Sequence, residues 1–379
     1  MPTIRYLFQR FADFFRESDK ILLTLTFFTS AYGCMAVYST TRHMESLRPV
    51  FVQGLCLVMG IVAAMIISAF DYEKFMKRWY LAAIIGLVPV ILTFFIGFAP
   101  EGTDDKAWLD LGITTFQPSE LLKICFIITF ATHIRAIKPN INKLKNLIPL
   151  CIHGAAPVLL IHFQGDDGTA LVFAVIVLFM MWAGGVSLKY YILAFSAAAV
   201  ASPFIYFFVM NEDHRKRINL LFNIEADIKG VGYQQWLGRT ALANGGFNGQ
   251  GFLRGSLTQS GVIPEGHNDF IFTCIGEELG FLGTITVIIL LAAICLRCIR
   301  VARISTNESG KYICVGFFAM LFAQSVINLG MCTSVLPVIG VTLPFFSSGG
   351  TSLLCLFLGV GLVLNVYLHR NSRTIYLHD

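Results

Sequence analysis

Apolar runs, each about as long as a bilayer is thick, recur along the whole chain and dictate its fold class. They lie at about 21–39, 48–70, 79–99, 118–136, 147–163, 169–185, 190–210, 269–296, 311–334 and 343–367. A helix needs about 20 such residues to cross the hydrocarbon core, and a helix is the structure that pairs its own backbone where no water is available. With 56% hydrophobic and only 13% charged residues, the composition excludes a soluble globular protein. The reading is an all-α polytopic membrane protein with about ten transmembrane helices, a single membrane domain over 1–379, and one long polar loop at 211–268.

Ten spans put both termini on one side, and basic residues identify that side. The segments joining alternate runs hold Arg5, Arg10, Arg16, Lys20, Lys74, Lys77, Arg78, Arg135, Lys138, Lys143, Lys145, Lys189, Arg297, Arg300, Arg303, Lys311, Arg370 and Arg373, whereas the opposite short loops hold only Arg42, Arg48 and Lys106. Lys and Arg in short loops stay cytoplasmic, so both termini are cytoplasmic and the loop 211–268 is extracytoplasmic. The net charge of +5 is thereby explained by orientation, and no nucleic-acid partner is implied. The aromatic and basic first 20 residues are expected to lie as an amphipathic helix on the inner surface. Of the ten cysteines, most sit in apolar runs as small hydrophobes; Cys295 and Cys298, beside Arg297 at a helix end, suggest no redox or metal site.

The unusual polar motifs gather on the outer side. PEGHNDFIFTCIGEELGFLG, Pro264 to Gly283, passes from polar loop into an apolar helix, with Asp269 at the water boundary. Glu277 and Glu278 follow roughly 12 Å deeper, at 1.5 Å per residue, and point about 100° apart, so at most one is expected to share a cavity with Asp269. Carboxylates at such depth are costly and mark function. FQPSELLK places Pro118 in the first turn of a span and sets Glu120 and Lys123 three apart on one face, as an ion pair or as a binding site. QGDDGT, with Asp166, suits a cation or sugar hydroxyls as well as it suits an ordinary turn. Trp108 fits an interfacial anchor. Within the long loop, GYQQWLGRTALANGG predicts a short amphipathic helix with Trp236 and Leu237 toward the membrane and Arg239 outward. HRKRIN stacks Arg215, Lys216 and Arg217 outside, suited to a diphosphate or to solvent. Near the end, Pro337, Gly340 and Pro344 break helix before Ser347 to Ser352, tolerable at membrane depth only against protein or a polar cavity.

In this combination and order, FQPSELLK, QGDDGT, GYQ with NGGFNGQG, PEGHNDFIFTCIGEELG, and NLGM with LPVIGVTLPFFSSGGTS resemble the SEDS family of bacterial cell-shape, division and sporulation proteins. The NLGM and LPVIG wording is closer to the RodA elongation branch than to the FtsW division branch. Departures include Ala107 where an arginine is usual, Asp167 for a leucine, and Gly238 for a serine. The resemblance implies a peptidoglycan glycosyltransferase of the bacterial cytoplasmic (inner) membrane that polymerises lipid II at the outer face. It implies Asp269 as general base; at the start of the helix the dipole would keep it ionised, and His267 and Asn268 can orient it or cap its helix. Trp108, Glu120, Lys123, Asp166, Arg217, His267, Glu277 and Ser347 are the candidate substrate contacts, and a divalent cation is the candidate cofactor. The implied partners are lipid II, a class B penicillin-binding protein with transpeptidase activity, and membrane proteins of the elongation complex. A lipid II flippase or other lipid transporter is the competing class, since intramembrane acids and broken helices serve either role.

Overall fold

The structure, a computed structural model, describes residues 16–44, 46–99, 105–110, 112, 115–222, 227, 230 and 232–370. Most of the amphipathic segment expected at the N-terminus, including Arg5 and Arg10, lies outside the described residues. The helices are α1 (Lys20–Thr41), α2 (Arg48–Ser68), α3 (Tyr72–Lys77), α4 (Trp79–Ile96), α5 (Pro118–Ile137), α6 (Leu144–His162), α7 (Asp167–Gly184) and α8 (Leu188–Phe204, continued by a π-turn to Val209). The long loop contributes α9 (Glu212–Leu220), α10 (Tyr233–Gly245) and α11 (Ser256–Gln259), and α12 (Ile271–Ile304), α13 (Glu308–Cys332) and α14 (Gly350–Leu368) complete the chain. Strands β1 (Leu109–Asp110) and β2 (Thr115–Phe116) form a small antiparallel hairpin on the outer side.

Among the described residues, nine helices are long and apolar enough to cross a membrane. The tenth span is α5, whose Glu120, Lys123 and Arg135 lower its apolarity while its length is the same. It affords those charges because they are neutralised inside the protein: Lys123 with Glu120 at 2.6 Å, and Arg135 with Glu73 at 2.8 Å. The chain is thus a multi-pass membrane protein, with α13 and α14 at its centre and α8 on the outside, where none of its residues is buried. α14 packs along α2, α12 along α13, and α13 along α7.

Local chemistry accounts for the helix limits. Pro118 starts α5 at a position whose N–H would have no helical partner. Asp166 caps α7 by accepting from the Thr169 N–H at 2.8 Å. At the inner end, Asn365 accepts from the Tyr72 N–H at 3.1 Å and donates to the Ile67 carbonyl at 2.7 Å, which fastens the α2–α3 turn to α14.

Three boundaries differ from the sequence reading. The last span begins at Gly350 rather than near 343, because Pro344 and the left-handed Phe345 (φ 67°) hold the segment before it irregular. The eighth runs from Ile271 to Ile304 rather than 269–296, and it is broken at Gly280 (φ 65°, ψ −158°), a conformation open to glycine. The glycine-rich end of α10 fills that break: Gln250 N–H donates to the Glu277 carbonyl at 3.0 Å, Gly251 N–H to Glu278 at 2.9 Å, and Phe281 N–H to the Gly246 carbonyl at 2.9 Å. The backbone groups freed by the kink are therefore paired by the loop.

The seating of α10 also departs from expectation. Leu237 is buried against the protein while Trp236 is exposed, so the two do not share one membrane-facing side; Arg239 does face outward. Gly238 sits against Phe270 and Thr273. A Cβ at Gly245 would overlap the Gly276 carbonyl, so α10 lies against α12 at backbone contact. Replacing Gly245 with leucine should unseat α10 and cost about 1–3 kcal/mol, the usual range for overpacking. The check is the thermal unfolding midpoint in detergent, and an unchanged midpoint would mean that α10 is not seated on the span.

Candidate active site

The segment His267-Asn268-Asp269 is held by its backbone. The Ser348 N–H donates to the His267 carbonyl at 2.8 Å, the Ser347 hydroxyl to the Asn268 carbonyl at 2.7 Å, and the Asn328 amide to the Asp269 carbonyl at 2.8 Å. Cys332 adds an S–H contact to the same Asp269 oxygen at 3.3 Å. Ser347 Oγ also accepts from the Leu343 N–H, and Asn328 also donates to the Val341 carbonyl. Gln53, fully buried in α2, closes the frame by donating to the Ser347 carbonyl and accepting from the Gly349 N–H. Two spans, α2 and α13, and the irregular segment before α14 thus fix the main chain of Asp269, while its carboxylate has no hydrogen-bond partner among the described residues.

That carboxylate is half-buried. Burial pushes its pKa up to about 7, with the charges of Glu265 and Asp166 acting in the same direction. This reverses the expectation that the helix dipole keeps it ionised, because Asp269 precedes the first helical residue, Ile271, by two positions and desolvation dominates. Asn268 does not orient it either: its amide donates to Glu265 Oε2 at 2.6 Å. His267 contributes its clamped carbonyl, and burial holds its imidazole below the usual range. A Cβ built at Gly340 (φ 67°) would stand 3.7 Å from Asp269 Oδ2, so glycine there leaves the carboxylate's approach open.

Asp166 is brought into the same electrostatic neighbourhood. Its Oδ1 caps α7, its Oδ2 accepts from the Gln117 amide at 2.9 Å, and burial raises its pKa. Glu120 and Lys123 form a contact ion pair with side-chain exposures of 5% and 1%. Trp108 is half-buried at the start of the hairpin, where its carbonyl accepts from the Phe98 N–H at 3.0 Å. The hairpin reaches α14 through the Thr351 hydroxyl, which donates to the Thr115 carbonyl at 3.2 Å.

Two residues singled out in the sequence are placed away from the Asp269 carboxylate. Glu277 faces α11: its oxygens accept from the Leu257 and Thr258 N–H groups at 2.9 and 2.8 Å and from the Ser256 and Thr258 hydroxyls. Glu278 accepts from Ser39 at 2.6 Å and Gln259 at 2.7 Å. The two acids thus point apart, as their spacing predicts, and both anchor the long loop. Arg217 donates to the Val338 carbonyl at 2.7 Å, tying α9 to the segment that contains Gly340.

Among the described residues no group of three or more His, Cys, Asp or Glu is gathered as for a metal ion. Asp166, whose charge acts on Asp269, has one oxygen on the Thr169 N–H and the other on the Gln117 amide. Sequence reasoning missed Gln53, Asn328, Cys332 and Gln117 as parts of the site. Gln53 had a signal, being a lone amide inside the apolar run VFVQGLCLVMG.

Two measurements follow from this geometry. Because the native state holds the Asp269 proton more tightly than the unfolded chain, stability falls as pH rises from about 4 to about 7 and stays lowered above. Asp269→Asn removes that penalty, so the variant should gain thermal stability over wild type at pH 8 and not at pH 4, by at most about 4 kcal/mol for three pKa units; equal gains at both pH values would remove the desolvation account. For the ion pair, Glu120→Gln alone leaves a buried ammonium less compensated and should cost about 3 kcal/mol, whereas Glu120→Gln with Lys123→Met should recover most of that loss. A thermal-shift double-mutant cycle reads the difference, and additive losses would argue against pairing.

A family model described as cell cycle protein, covering FtsW, RodA and SpoVE, matches residues 19–372. The peptidoglycan glycosyltransferase MrdB of Escherichia coli K12 is 33% identical over 318 residues, which cover 83% of this chain and 84% of that one. A probable peptidoglycan glycosyltransferase FtsW of Trichlorobacter lovleyi is 30% identical over 361 residues, 92% of this chain and 93% of that one. Among solved structures, a chain of a peptidoglycan synthase complex that coordinates polymerization and crosslinking superposes with a TM-score of 0.82 at 25% identity, covering 94% of this chain and 99% of that one. The rod shape determining protein RodA of Thermus thermophilus shares the fold, with a TM-score of 0.69 at 23% identity over 94% of this chain and 98% of that one. The chain belongs to the SEDS family of FtsW, RodA and SpoVE proteins.

Proposed function

We propose that this protein is a peptidoglycan glycosyltransferase that polymerises lipid II at the outer face of the cytoplasmic membrane during cell elongation, with Asp269 as general base. The observation that carries the reading is a carboxylate with no hydrogen-bond partner among the described residues, its pKa pushed up to about 7 by burial, on a backbone fixed by α2, α13 and the segment before α14. A general base works best when its pKa lies near the operating pH. The 33% identity to a peptidoglycan glycosyltransferase and the fold of a peptidoglycan synthase chain support the same reaction class.

In the reaction, the 4-hydroxyl of an incoming sugar attacks the anomeric carbon of a glycan carried on a lipid diphosphate. The new C–O bond forms as the bond to diphosphate breaks, with inversion, and the hydroxyl proton passes to Asp269. One base suffices, because diphosphate leaves without the protonation that a glycosidase leaving group needs. Both substrates have lipid tails, and a base at the membrane's outer edge lets those tails stay in the bilayer. A class B penicillin-binding protein is the partner this reading assigns, since the structural neighbour comes from a complex that couples polymerization to crosslinking. A lipid carrier is the competing class, and polymer formed in detergent, where nothing is transported, separates the two.

The test is glycan polymerisation from lipid II by purified protein with and without such a partner. Asp269→Asn keeps size and polarity but cannot accept the proton, so the rate should fall by about two to four orders of magnitude with membrane insertion intact. In the wild type, kcat/KM should drop about tenfold per pH unit below about pH 7 and level off above it. An Asn variant that polymerises at near-normal rate moves the base elsewhere, and a wild type that makes no polymer under any partner condition removes the enzymatic reading.

A further inference from the structure

Far from Asp269, on the cytoplasmic side, a hollow of about 530 Å³ lies between the start of α1, the inner third of α12 and the end of α14. Its lining includes Arg16, Lys20, Arg297 and Arg370 together with Glu17 and Asp19, four cations against two carboxylates. One of those carboxylates is spent. Asp19 is buried, accepting from the Leu22 N–H at 3.1 Å with one oxygen and from Arg297 Nε at 2.6 Å with the other. Asp19 engages the Nε of Arg297, whose side chain is 12% exposed and lines the hollow, and among the described residues its terminal nitrogens have no hydrogen-bond partner. Arg370 is preset as well: its Nη1 donates to the Tyr367 carbonyl at 2.7 Å, and its guanidinium stands 4.1 Å over the Tyr367 ring.

We infer that this hollow binds the phosphodiester headgroup of an anionic phospholipid of the inner leaflet. A general excess of cytoplasmic charge orients the chain but needs no concavity, and it needs no arginine buried with only part of its guanidinium paired. Arginine forks match phosphate oxygens geometrically, and basic hollows between spans on the cytoplasmic side suit anionic headgroups. The position selects a lipid over a soluble anion. Ile21, in the same lining, is 54% exposed at the cytoplasmic start of α1, where the span enters the bilayer, so acyl chains continue directly from the headgroup onto apolar surface. The site uses nothing from the outer-face chemistry and stands apart from the proposed reaction.

The test is native mass spectrometry of the full chain in detergent, titrated with phosphatidylglycerol or phosphatidylethanolamine. Phosphatidylglycerol should be retained in preference. The variant Arg16→Gln, Lys20→Gln, Arg370→Gln should bind it about a hundredfold more weakly, each basic residue near an anionic surface contributing about fivefold. Arg297 is left in place, since its loss would strand the buried Asp19. Glu17→Gln removes a carboxylate from the lining and should tighten binding, which keeps the idea testable should the triple variant fold poorly. Equal retention of the two lipids, wild-type affinity in the triple variant, or unchanged affinity in Glu17→Gln overturns the inference. Inorganic phosphate that raises the unfolding temperature as much as phosphatidylglycerol would assign the hollow to a free anion and overturn it too.

Discussion

The hydrogen bonds that seize three successive carbonyls, those of His267, Asn268 and Asp269, are the constraint on which the outer half of the molecule depends. A chain leaving a membrane helix has no regular partner for these groups, and at that depth water is scarce. Donors come instead from α13 and from the irregular stretch before α14, itself pinned by Gln53 of α2. The breaks at Pro337, Gly340 and Pro344 acquire a purpose in this frame. A regular helix would use its own N–H groups internally, whereas the irregular stretch turns the Ser347 hydroxyl and the Ser348 N–H toward the Asp269 segment.

Fixing the main chain while leaving the carboxylate unpaired separates two demands that conflict in a protein interior. A hydrogen-bonded carboxylate is well positioned but a weak base, because donors stabilise its ionised form. Here position comes from carbonyls and basicity from desolvation. Asp166 has both oxygens engaged in capping and bridging, which works against the rise that burial imposes on its pKa, and its charge acts on Asp269 from the start of α7.

Much of the fold was legible because a bilayer enforces one rule along the chain: apolar runs predict the spans to within a few residues, and basic residues give their direction. Asp269 was legible too, as an acid at the edge of an apolar run. The failures share a cause, which is dependence on distant partners. No local pattern says that Glu277 will be claimed by α11, about twenty residues earlier, or that Asn268 will turn to Glu265 and leave its neighbour free. The dipole argument for Asp269 failed because it weighed one local field and could not weigh burial. Gly280 looked like one more residue of an apolar helix, GEELGFLG, and only the loop that meets it reveals the break.

That break bears on how the protein is made. The carbonyls of Glu277 and Glu278 and the N–H of Phe281 find their partners in Gln250, Gly251 and Gly246, residues that leave the ribosome before the helix they complete. The loop must therefore already be on the far side of the membrane when α12 is threaded, and the span is finished only as the two meet. Until then, polar backbone in the outer third of that span is unpaired, which makes its insertion the step most in need of a protected path. A loop and a span taken from two different relatives would have to match at this one joint, however similar they were elsewhere.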